Sequence, residues 1–480
     1  MCKSNYLHYN YTMTSKIKLK KLIDEVEIEY KWCWDFLVKL KTGDRKNLLP
    51  DNLFEFQPKL AVAVFKLSEA YRAIAKEKNI LITKKQHLSP NWFKRRMKVL
   101  SSYQDSLEEI KKIGKVLGDS FAWLFYGDER VFLRKHFLHE KTPHIPSGIG
   151  GQGELEFIRQ AKFINNKFVL YHGITSFLRI GDISLIDLKS RKLVAIGEIK
   201  TKQIDDSNLL VGFYYVGEAV HEVGKKEISI EANDGANYKL PQQLQEKLNK
   251  QLKKMTDSFV LPNNREDKKL VSNAYINKLD KLFENIKRNK GACEKAGDGL
   301  LLFGFSINKT SLFSKFFNEF GGNLKNILKE FEKQMESIVD ISQIGKDGNK
   351  NSFFVGQLRK ELSAGITPIF WWGTNTENIG KLIFGDVYLG TLYNPAHFLK
   401  KLRNLGFEVE QKGKSFKISK VIGTSKFEVM NVSSFLDFLQ QSLFDEEILI
   451  STFNTIIEKI ESNELKPNTN VHIDMQQFLE

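Results

Sequence analysis

The feature that most restricts the fold of this chain is a pair of apolar segments joined by a short basic turn. Residues Ile180–Leu188 and Leu193–Lys200 are rich in β-branched and aliphatic side chains, and the basic turn Lys189–Lys192 separates them. This pattern predicts two antiparallel strands connected as a hairpin. Because side chains alternate across a strand, Glu198 and Lys200 should point to the same face of the sheet.

Asp182 lies near the start of the first strand, where it can approach Glu198 across the hairpin. Two neighbouring carboxylates repel each other and attract a hard cation such as Mg²⁺ or Mn²⁺, which prefers oxygen ligands. A cation bound there would polarise a phosphate oxygen, and Lys200 could hold the attacking water or stabilise the developing charge. Asp182, Glu198 and Lys200 are therefore the predicted catalytic residues. The alternative is a hairpin whose charged side chains only face solvent.

This arrangement resembles the PD-(D/E)XK nuclease superfamily, to which restriction endonucleases and recombination exonucleases belong. The resemblance is carried by Gly181-Asp182 followed by Glu198-Ile199-Lys200, within residues 146–310 of the 480. It implies an α/β fold with a restriction-endonuclease-like α-β-β-β-α-β core. It also implies that Asp182 and Glu198 hold the metal while Lys200 assists the water. Gly181 stands where the family motif has a proline.

Many members of this superfamily add a glutamate from the helix before the strands. Glu154 is the better candidate in this chain, because helical spacing places it on the same face as Phe157, Ile158 and Ala161. Glu156 should point elsewhere. The resemblance therefore implies Glu154, Asp182 and Glu198 as the metal ligands.

Two further residues are predicted to contact nucleic acid. Lys202 continues the strand face of Lys200, and Gln245 lies on a helix opened by Pro241, from which a glutamine reaches the site in some recombination-type members. A solvated strand end and a polar helix face are the respective alternatives.

The surrounding sequence divides into three predicted regions. Residues 1–145 read as an N-terminal helical region, 146–310 as the nuclease-like domain and 311–480 as a C-terminal α+β region. A segment rich in proline and glycine, His139–Gly153, is interpreted as the hinge between the first two regions. The helix of Glu154 is expected to run to Ile164, and Leu300–Phe305 is expected to be the last strand of the nuclease core. Strands are expected at Ile366–Trp372 and Leu382–Leu389.

The charge of the chain indicates a polyanionic partner. Lys and Arg number 73 against 58 Asp and Glu, which gives a formal net charge of +15. Nucleic acid, most simply DNA, is the commonest partner for such a surface. One segment, Trp92–Arg96, mixes aromatic and basic residues as nucleic-acid grooves do, although a buried aromatic pair beneath surface charges is the commoner meaning of that pattern.

Other sequence features exclude several classes of protein. No run of apolar residues approaches the ~18 that a membrane span needs. The three cysteines form no Cys-x-x-Cys pair, so neither a zinc knuckle nor a disulfide framework is indicated, and a cytoplasmic location is expected. A glycine-rich phosphate loop is also missing.

The sequence therefore predicts a Mg²⁺- or Mn²⁺-dependent nuclease that acts on DNA, in restriction or anti-phage defence, with a partner protein or a second copy as further possible contacts. The alternative is a non-catalytic module of the same fold that binds nucleic acid or a partner protein.

Overall fold

A computed structural model of the chain gives a mixed α/β protein whose described part contains three antiparallel sheets. The residues that it describes are 15–43, 50–126, 130–137, 143–190, 192–203, 209–217, 223–229, 246, 249–253, 255, 275–289, 291–297, 299–307, 311–317, 354–357, 368–412, 415–423, 425–429, 432, 435–436, 439, 443, 445–462 and 464. Gln245 and His139 lie outside these ranges.

The described part of the N-terminal region is helical. Its four helices are α1 Lys16–Thr42, α2 Pro50–Thr83, α3 Pro90–Tyr126 and α4 Arg130–Phe137. Apolar residues at helical spacing, such as Leu19, Ile23 and Val26, form the buried stripe of α1. Tyr30 of α1 packs directly on Gly114 of α3, where a Cβ atom would lie 2.4 Å from the Tyr30 hydroxyl. The missing side chain therefore allows these two helices to approach closely.

The first sheet has six strands in the order in which they occur along the chain. They are β1 Phe163–Ile164, β2 Lys167–Tyr171, β3 Ile183–Asp187, β4 Lys192–Gln203, β5 Leu209–Gly217 and β6 Val223–Ser229. Helix α5, Gly148–Gln160, packs on the middle of this sheet, where Phe157 contacts Phe213 at a ring separation of 5.9 Å. The N-terminal helices reach β2, because Gln57 of α2 exchanges hydrogen bonds with the backbone of Val169 and Tyr171.

The prediction that α5 continues to Ile164 was wrong. The helix ends at Gln160, and Phe163–Ile164 pairs with Lys167–Phe168. Asn165 and Asn166 connect these strands with φ values of 49° and 61°. Consecutive residues with positive φ make a tight hairpin turn, which asparagine tolerates better than most residues, so local turn chemistry ends the helical pattern here.

The second sheet differs most from expectation. Its strand order is β7-β8-β10-β9, with β7 at Gly291–Lys295, β8 at Leu300–Ser306, β9 at Phe354–Gln357 and β10 at Val387–Tyr393. Strand β8, expected as the last strand of the nuclease core, pairs over its whole length with β10 from the predicted C-terminal region. Both strands are buried along most of their length, and a strand buried on both faces occupies the centre of a sheet.

One strand prediction in the C-terminal region was wrong over its described residues, 368–372, and another began too early. Ile369–Trp371 is a 3₁₀ turn that follows Pro368. Residues Thr376–Ile383 form a helix, α8, whose first turn is capped by the Asn375 side chain accepting from the Glu377 N–H. The strand that was expected from Leu382 therefore starts only at Val387. Short apolar runs do not distinguish helix from strand, and the Asn375 cap favours the helix in α8.

The other described helices are α6 Asn277–Asn289, α7 Leu312–Phe316, α9 Ala396–Asn404 and α10 Glu447–Glu461. The third sheet consists of β11 Glu408–Lys412, β12 Ser415–Ile422 and β13 Ser425–Val429. Buried apolar side chains form one continuous core through all three predicted regions. Among the described helices, none has the length and apolarity required to cross a membrane.

Candidate active site

Strands β3 and β4 form the predicted hairpin, and Gly181 sets the entry of the chain into it. The backbone N–H of Asp182 donates to the Gly197 carbonyl at 2.7 Å, so pairing with β4 begins one residue before β3. Gly181 has a φ of +69°, and a Cβ atom there would lie 2.7 Å from both the Gly197 oxygen and the Ile196 side chain. A proline, whose φ is fixed near −65°, could not adopt this conformation. Glycine is thus required both by the positive φ and by the close contact with Gly197 and Ile196.

Asp182, Glu198 and Lys200 come together at this end of the hairpin. Oδ2 of Asp182 accepts from the backbone N–H of Ile199 at 2.8 Å, which holds its carboxylate beside Glu198. Nζ of Lys200 donates to Oε1 of Glu198 at 2.5 Å, as expected for two residues on one strand face. Glu198 is buried, whereas Asp182 and Lys200 are half-buried, so solvent reaches part of the cluster.

The electrostatics of this cluster strongly perturb Asp182. Burial raises the pKa of Asp182 to about 7, and the charge of Glu198 and a hydrogen bond with it add to the rise. Lys200 and the Ile199 N–H act in the opposite direction without cancelling the effect. A carboxyl group that is half protonated near neutral pH signals a site that would gain from an added cation.

Glu154 faces this cluster from α5. Gly153, its neighbour, packs so tightly on Thr201 of β4 that a Cβ atom would lie 2.2 Å from that side chain. The carboxyl of Glu154 is buried and accepts a hydrogen bond from the Tyr171 hydroxyl at 2.5 Å. Burial, followed by the charge of Asp182, raises the pKa of Glu154 well above its usual range. Glu156 instead pairs on the exposed side of α5 with Arg159 and Gln160.

Gln251 is a site residue that the sequence analysis missed. Its Nε2 donates to Oε1 of Glu198 from the helical segment 249–253. Its Oε1 is buried and has no hydrogen-bond partner among the described residues. The glutamine predicted from this part of the sequence was Gln245. Gln251 follows Leu248 by three residues on the same apolar stripe, and that spacing was the signal available in the sequence.

A second missed feature is a buried hydrogen-bond network behind Asp182. Nδ1 of His172 bonds the Gly181 carbonyl at 3.0 Å and its Nε2 bonds the Ser184 hydroxyl at 2.7 Å, which in turn contacts the Tyr126 hydroxyl at 2.6 Å. The His172 backbone N–H also donates to the Asp182 carbonyl. Burial lowers the pKa of His172 to about 4, so the ring is neutral at physiological pH. The network fixes the loop from which Asp182 projects.

His136 is buried on α4 and accepts a hydrogen bond from the Ile180 N–H. Lys202 lies exposed on β4 beyond Lys200.

The donor chemistry of the cluster suits a hard divalent cation only in part. Asp182 and Glu198 offer adjacent carboxylate oxygens, and the unpartnered Gln251 oxygen lies next to them. Within the described ranges, however, no group of three or more His, Cys, Asp or Glu side chains is arranged to hold a metal ion. Glu154, the third expected ligand, is bound instead to Tyr171. The structure therefore brings together a carboxylate pair with a lysine and a glutamine.

No protein-family model, curated protein or solved structure matches this chain.

Proposed function

We propose that this protein is a nuclease of the PD-(D/E)XK type that hydrolyses phosphodiester bonds in DNA with the help of Mg²⁺ or Mn²⁺. The observation that carries the proposal is the meeting of Asp182, Glu198 and Lys200 at one half-open end of a hairpin. The succession of α5, β2, β3, β4 and the helical segment 249–253 around these residues supports a restriction-endonuclease-like core. A role in restriction or anti-phage defence rests on this analogy of fold alone.

Asp182 and Glu198 would hold the cation, and Glu154 would join them if it released Tyr171. When bound, the cation would polarise the scissile phosphate and lower the pKa of a water molecule. Lys200 carries the only described ammonium group in contact with the carboxylate pair. It would orient the attacking water and stabilise negative charge on the phosphate. Gln251 would keep the Glu198 carboxylate in place through its Nε2–H group.

The test is cleavage of supercoiled plasmid and of linear duplex DNA by the full chain. Activity should require Mg²⁺ or Mn²⁺ and should disappear on chelation, because the carboxylates alone cannot activate water at neutral pH. Glu198→Ala should abolish cleavage and leave DNA binding in Ca²⁺ nearly unchanged, since binding depends on many Lys and Arg contacts with phosphate. Glu156→Ala is the matched control, because this half-buried acid of α5 is paired with its helix neighbours Arg159 and Gln160. Full activity in Glu198→Ala would exclude this site.

A non-catalytic module is the second candidate function, and one observation favours it. Oε1 of Glu198 already accepts hydrogen bonds from Lys200 and Gln251, and no described trio of acids is assembled around a metal position. A wild-type protein that binds DNA but cleaves no duplex, single-stranded or plasmid substrate with Mg²⁺ or Mn²⁺ would support this candidate over the nuclease.

A further inference from the structure

The turn between α2 and α3 carries an unusual run of charge. Residues 78–104, called here the α2–α3 tip, contain no aspartate or glutamate. They contain seven basic residues, which are Lys78, Lys84, Lys85, Lys94, Arg95, Arg96 and Lys98. A segment of this length with one sign of charge produces a positive field that neighbouring acids of the tip itself do not cancel.

The tip extends beyond the described part of α1. Helix α1 runs antiparallel to α2, with Glu25 paired to Lys66 and Glu29 paired to Lys59. Helix α1 begins at Lys16, nine residues before Glu25. Both helices rise 1.5 Å per residue, so the N-terminus of α1 lies beside about residue 75 of α2. The last turns of α2 and the first turns of α3 therefore continue past α1 as a two-helix projection.

Some basic residues of the tip contact other residues of α2 and α3 and stabilise the tip itself. Arg96 forms an ion pair with Glu77 at 2.5 Å, and Lys78 bonds Ser101 and Gln104, so these two residues join α2 to α3. Lys85 lies 5.7 Å from the centre of the Phe93 ring. Lys94, Arg95 and Lys98 are exposed and form no ion pair with any described residue. Three cationic side chains on adjoining faces of α3 are thus available to a ligand.

Aromatic and apolar side chains lie among these charges on the surface. Trp92 is 41% exposed and Val99 is 38% exposed. Trp92, Arg95 and Val99 follow the i, i+3, i+7 spacing, so they form one stripe along the outer face of α3, and Lys94 and Lys98 form the next. Trp92 is therefore not buried beneath the charges of this segment, whereas Phe93 is half-buried and packs against the core.

The distance from the tip to the candidate active site suits a polymeric ligand. Gly151 of α5, one turn before Glu154, packs on the ring of Phe65 in α2. The eighteen residues from Phe65 to Thr83 span about 27 Å of helix. Successive base pairs are about 3.4 Å apart, so a duplex that enters the cleft must extend roughly eight base pairs before it reaches the tip.

From these observations we infer that the α2–α3 tip is a second nucleic-acid contact, at which Lys94, Arg95 and Lys98 bind backbone phosphates of the duplex held in the cleft and Trp92 packs against sugar or base. The inference rests on the proposed nuclease function for the identity of that duplex. An anionic membrane is the competing ligand, since it also attracts basic side chains and tryptophan. Arg95 separates Trp92 from Val99 on the stripe, so no continuous apolar face is present for insertion, and this favours the nucleic acid.

The experiment measures duplex binding by the full-length Glu198→Ala protein in Ca²⁺, which prevents cleavage. In this background, Lys94→Gln, Arg95→Gln and Lys98→Gln are combined. At 0.15 M salt, the triple variant should bind a 30-base-pair duplex roughly a hundredfold more weakly than the Glu198→Ala protein does. Each lost phosphate contact should lower the affinity about fivefold at this salt concentration, through the loss of counterion release. The slope of log K against log salt should become shallower by about two to three. A hairpin with a five-base-pair stem should bind nearly equally well to both proteins, because a stem of about 17 Å cannot span the cleft and the tip.

The matched control removes the same charge elsewhere. The control combines Gln substitutions of three exposed basic residues of α6 and α9, which are Arg288, Lys400 and Arg403. The affinity of this variant for the 30-base-pair duplex should stay within about threefold of the affinity of the Glu198→Ala protein. If the tip variant were unstable in thermal unfolding, Arg95→Gln alone should still reduce the salt slope by about one.

An equal loss in the tip and control variants, or an equal loss for both duplex lengths, would overturn the inference. So would loss of binding to phosphatidylserine vesicles with unchanged DNA binding. If the wild type never cleaved DNA but its binding depended on the tip, the inference about the tip would be supported and the proposed nuclease function rejected. If the wild type cleaved DNA with metal but its binding did not depend on the tip, the nuclease function would be supported and the inference rejected.

Discussion

An aspartate lies at each end of the β3–β4 hairpin, and the pKa values of the two aspartates are shifted in opposite directions. Asp182 lies in a largely enclosed site beside Glu198, where burial and the neighbouring charge raise its pKa to about 7. Asp187 lies at the turn, where a hydrogen bond from Lys167 and the backbone N–H groups of Lys189 and Ser190 lower its pKa to about 2. Both residues are aspartates, one just before β3 and the other at its last position, so their surroundings make one carboxylate unstable in its charged form and the other stable.

This contrast separates a carboxylate that is suited to bind a cation from one that closes a turn. Asp187 has its charge balanced by the protein itself, because Lys167 and two N–H groups satisfy both of its oxygens. The charge on Asp182 is only partly balanced, since Lys200 is bound to Glu198. An uncompensated acidic pair is unfavourable for folding, and such unfavourable arrangements are concentrated at functional sites.

The largest expected difference between the two ends is catalytic. Asp182→Asn should reduce DNA cleavage by about a thousandfold or more, because a lost metal ligand removes several kcal/mol of transition-state stabilisation. Asp187→Asn should reduce cleavage by less than about threefold. Initial rates on linear duplex with Mg²⁺ measure both. The reverse order of effects would mean that the catalytic end of the hairpin was misidentified.

The second prediction compares two lysines of β4. Lys200→Ala should reduce the cleavage rate by about a hundred- to a thousandfold, the range for removal of one preorganised group that stabilises developing charge. Lys202→Ala, on the exposed continuation of the same face, should instead weaken DNA binding and make its salt slope shallower by about one. Single-turnover rates and binding titrations over a range of salt distinguish the two. Equal rate losses would remove the special role of Lys200.

The third prediction concerns the glycine that introduces Asp182. Gly181→Ala should destabilise the fold by about 3 kcal/mol, since it adds backbone strain at positive φ and a clash with the Gly197 carbonyl. Gly43→Ala is the control, because Gly43 has a φ of +74° but nothing within 4 Å of its Cβ position, so only about 1 kcal/mol is expected. Urea denaturation measures both values. Equal costs would show that the close approach at Gly181 relaxes easily.

The smallest expected effect is on the pH dependence of stability without divalent metal. The folded pKa of Asp182 is raised, so its contribution to stability is present at low pH and is lost as the pH rises from about 4 to about 7. Asp182→Asn should therefore match the wild type near pH 4 and have the higher free energy of unfolding at pH 8.

Asp187→Asn should have the opposite sign. Its folded pKa is lowered, so the stability it contributes is present above about pH 4 and is lost as the pH falls towards 2. The variant should thus be less stable than the wild type at pH 8. Denaturation in EDTA at several pH values tests both aspartates, and parallel curves for Asp182→Asn and the wild type would contradict the raised pKa.

The local part of this site was predictable from the sequence. Alternation along a strand placed Glu198 with Lys200, and helical phase placed Glu154 rather than Glu156 on the buried face. The structure brings these residues together as expected, whereas their catalytic roles stay predictions. Periods of 2 and 3.6 residues are set by backbone geometry, so such relations can be derived without knowing the rest of the fold.

The other parts of the site depend on contacts between distant segments. His172, Ser184 and Tyr126 form their network across 58 residues of sequence, and Gln251 reaches Glu198 across 53. No periodic signal marks His172, Ser184 or Tyr126. Gln251 has such a signal in its spacing from Leu248, but its partner is still decided by packing. The same limit explains why the predicted strand Leu300–Phe305 was assigned to the wrong sheet, since a buried strand does not specify its neighbour.

The pairing of β8 with β10 also affects how the chain is made. At ~5–20 residues per second, the roughly 80 residues between these strands take ~4–16 s to leave the ribosome. During that interval β8 has β7 on one side and an open hydrogen-bonding edge on the other. The nascent chain thus passes through a stage at which its N-terminal two thirds can aggregate, and a shortened protein ending near residue 310 would remain at that stage permanently.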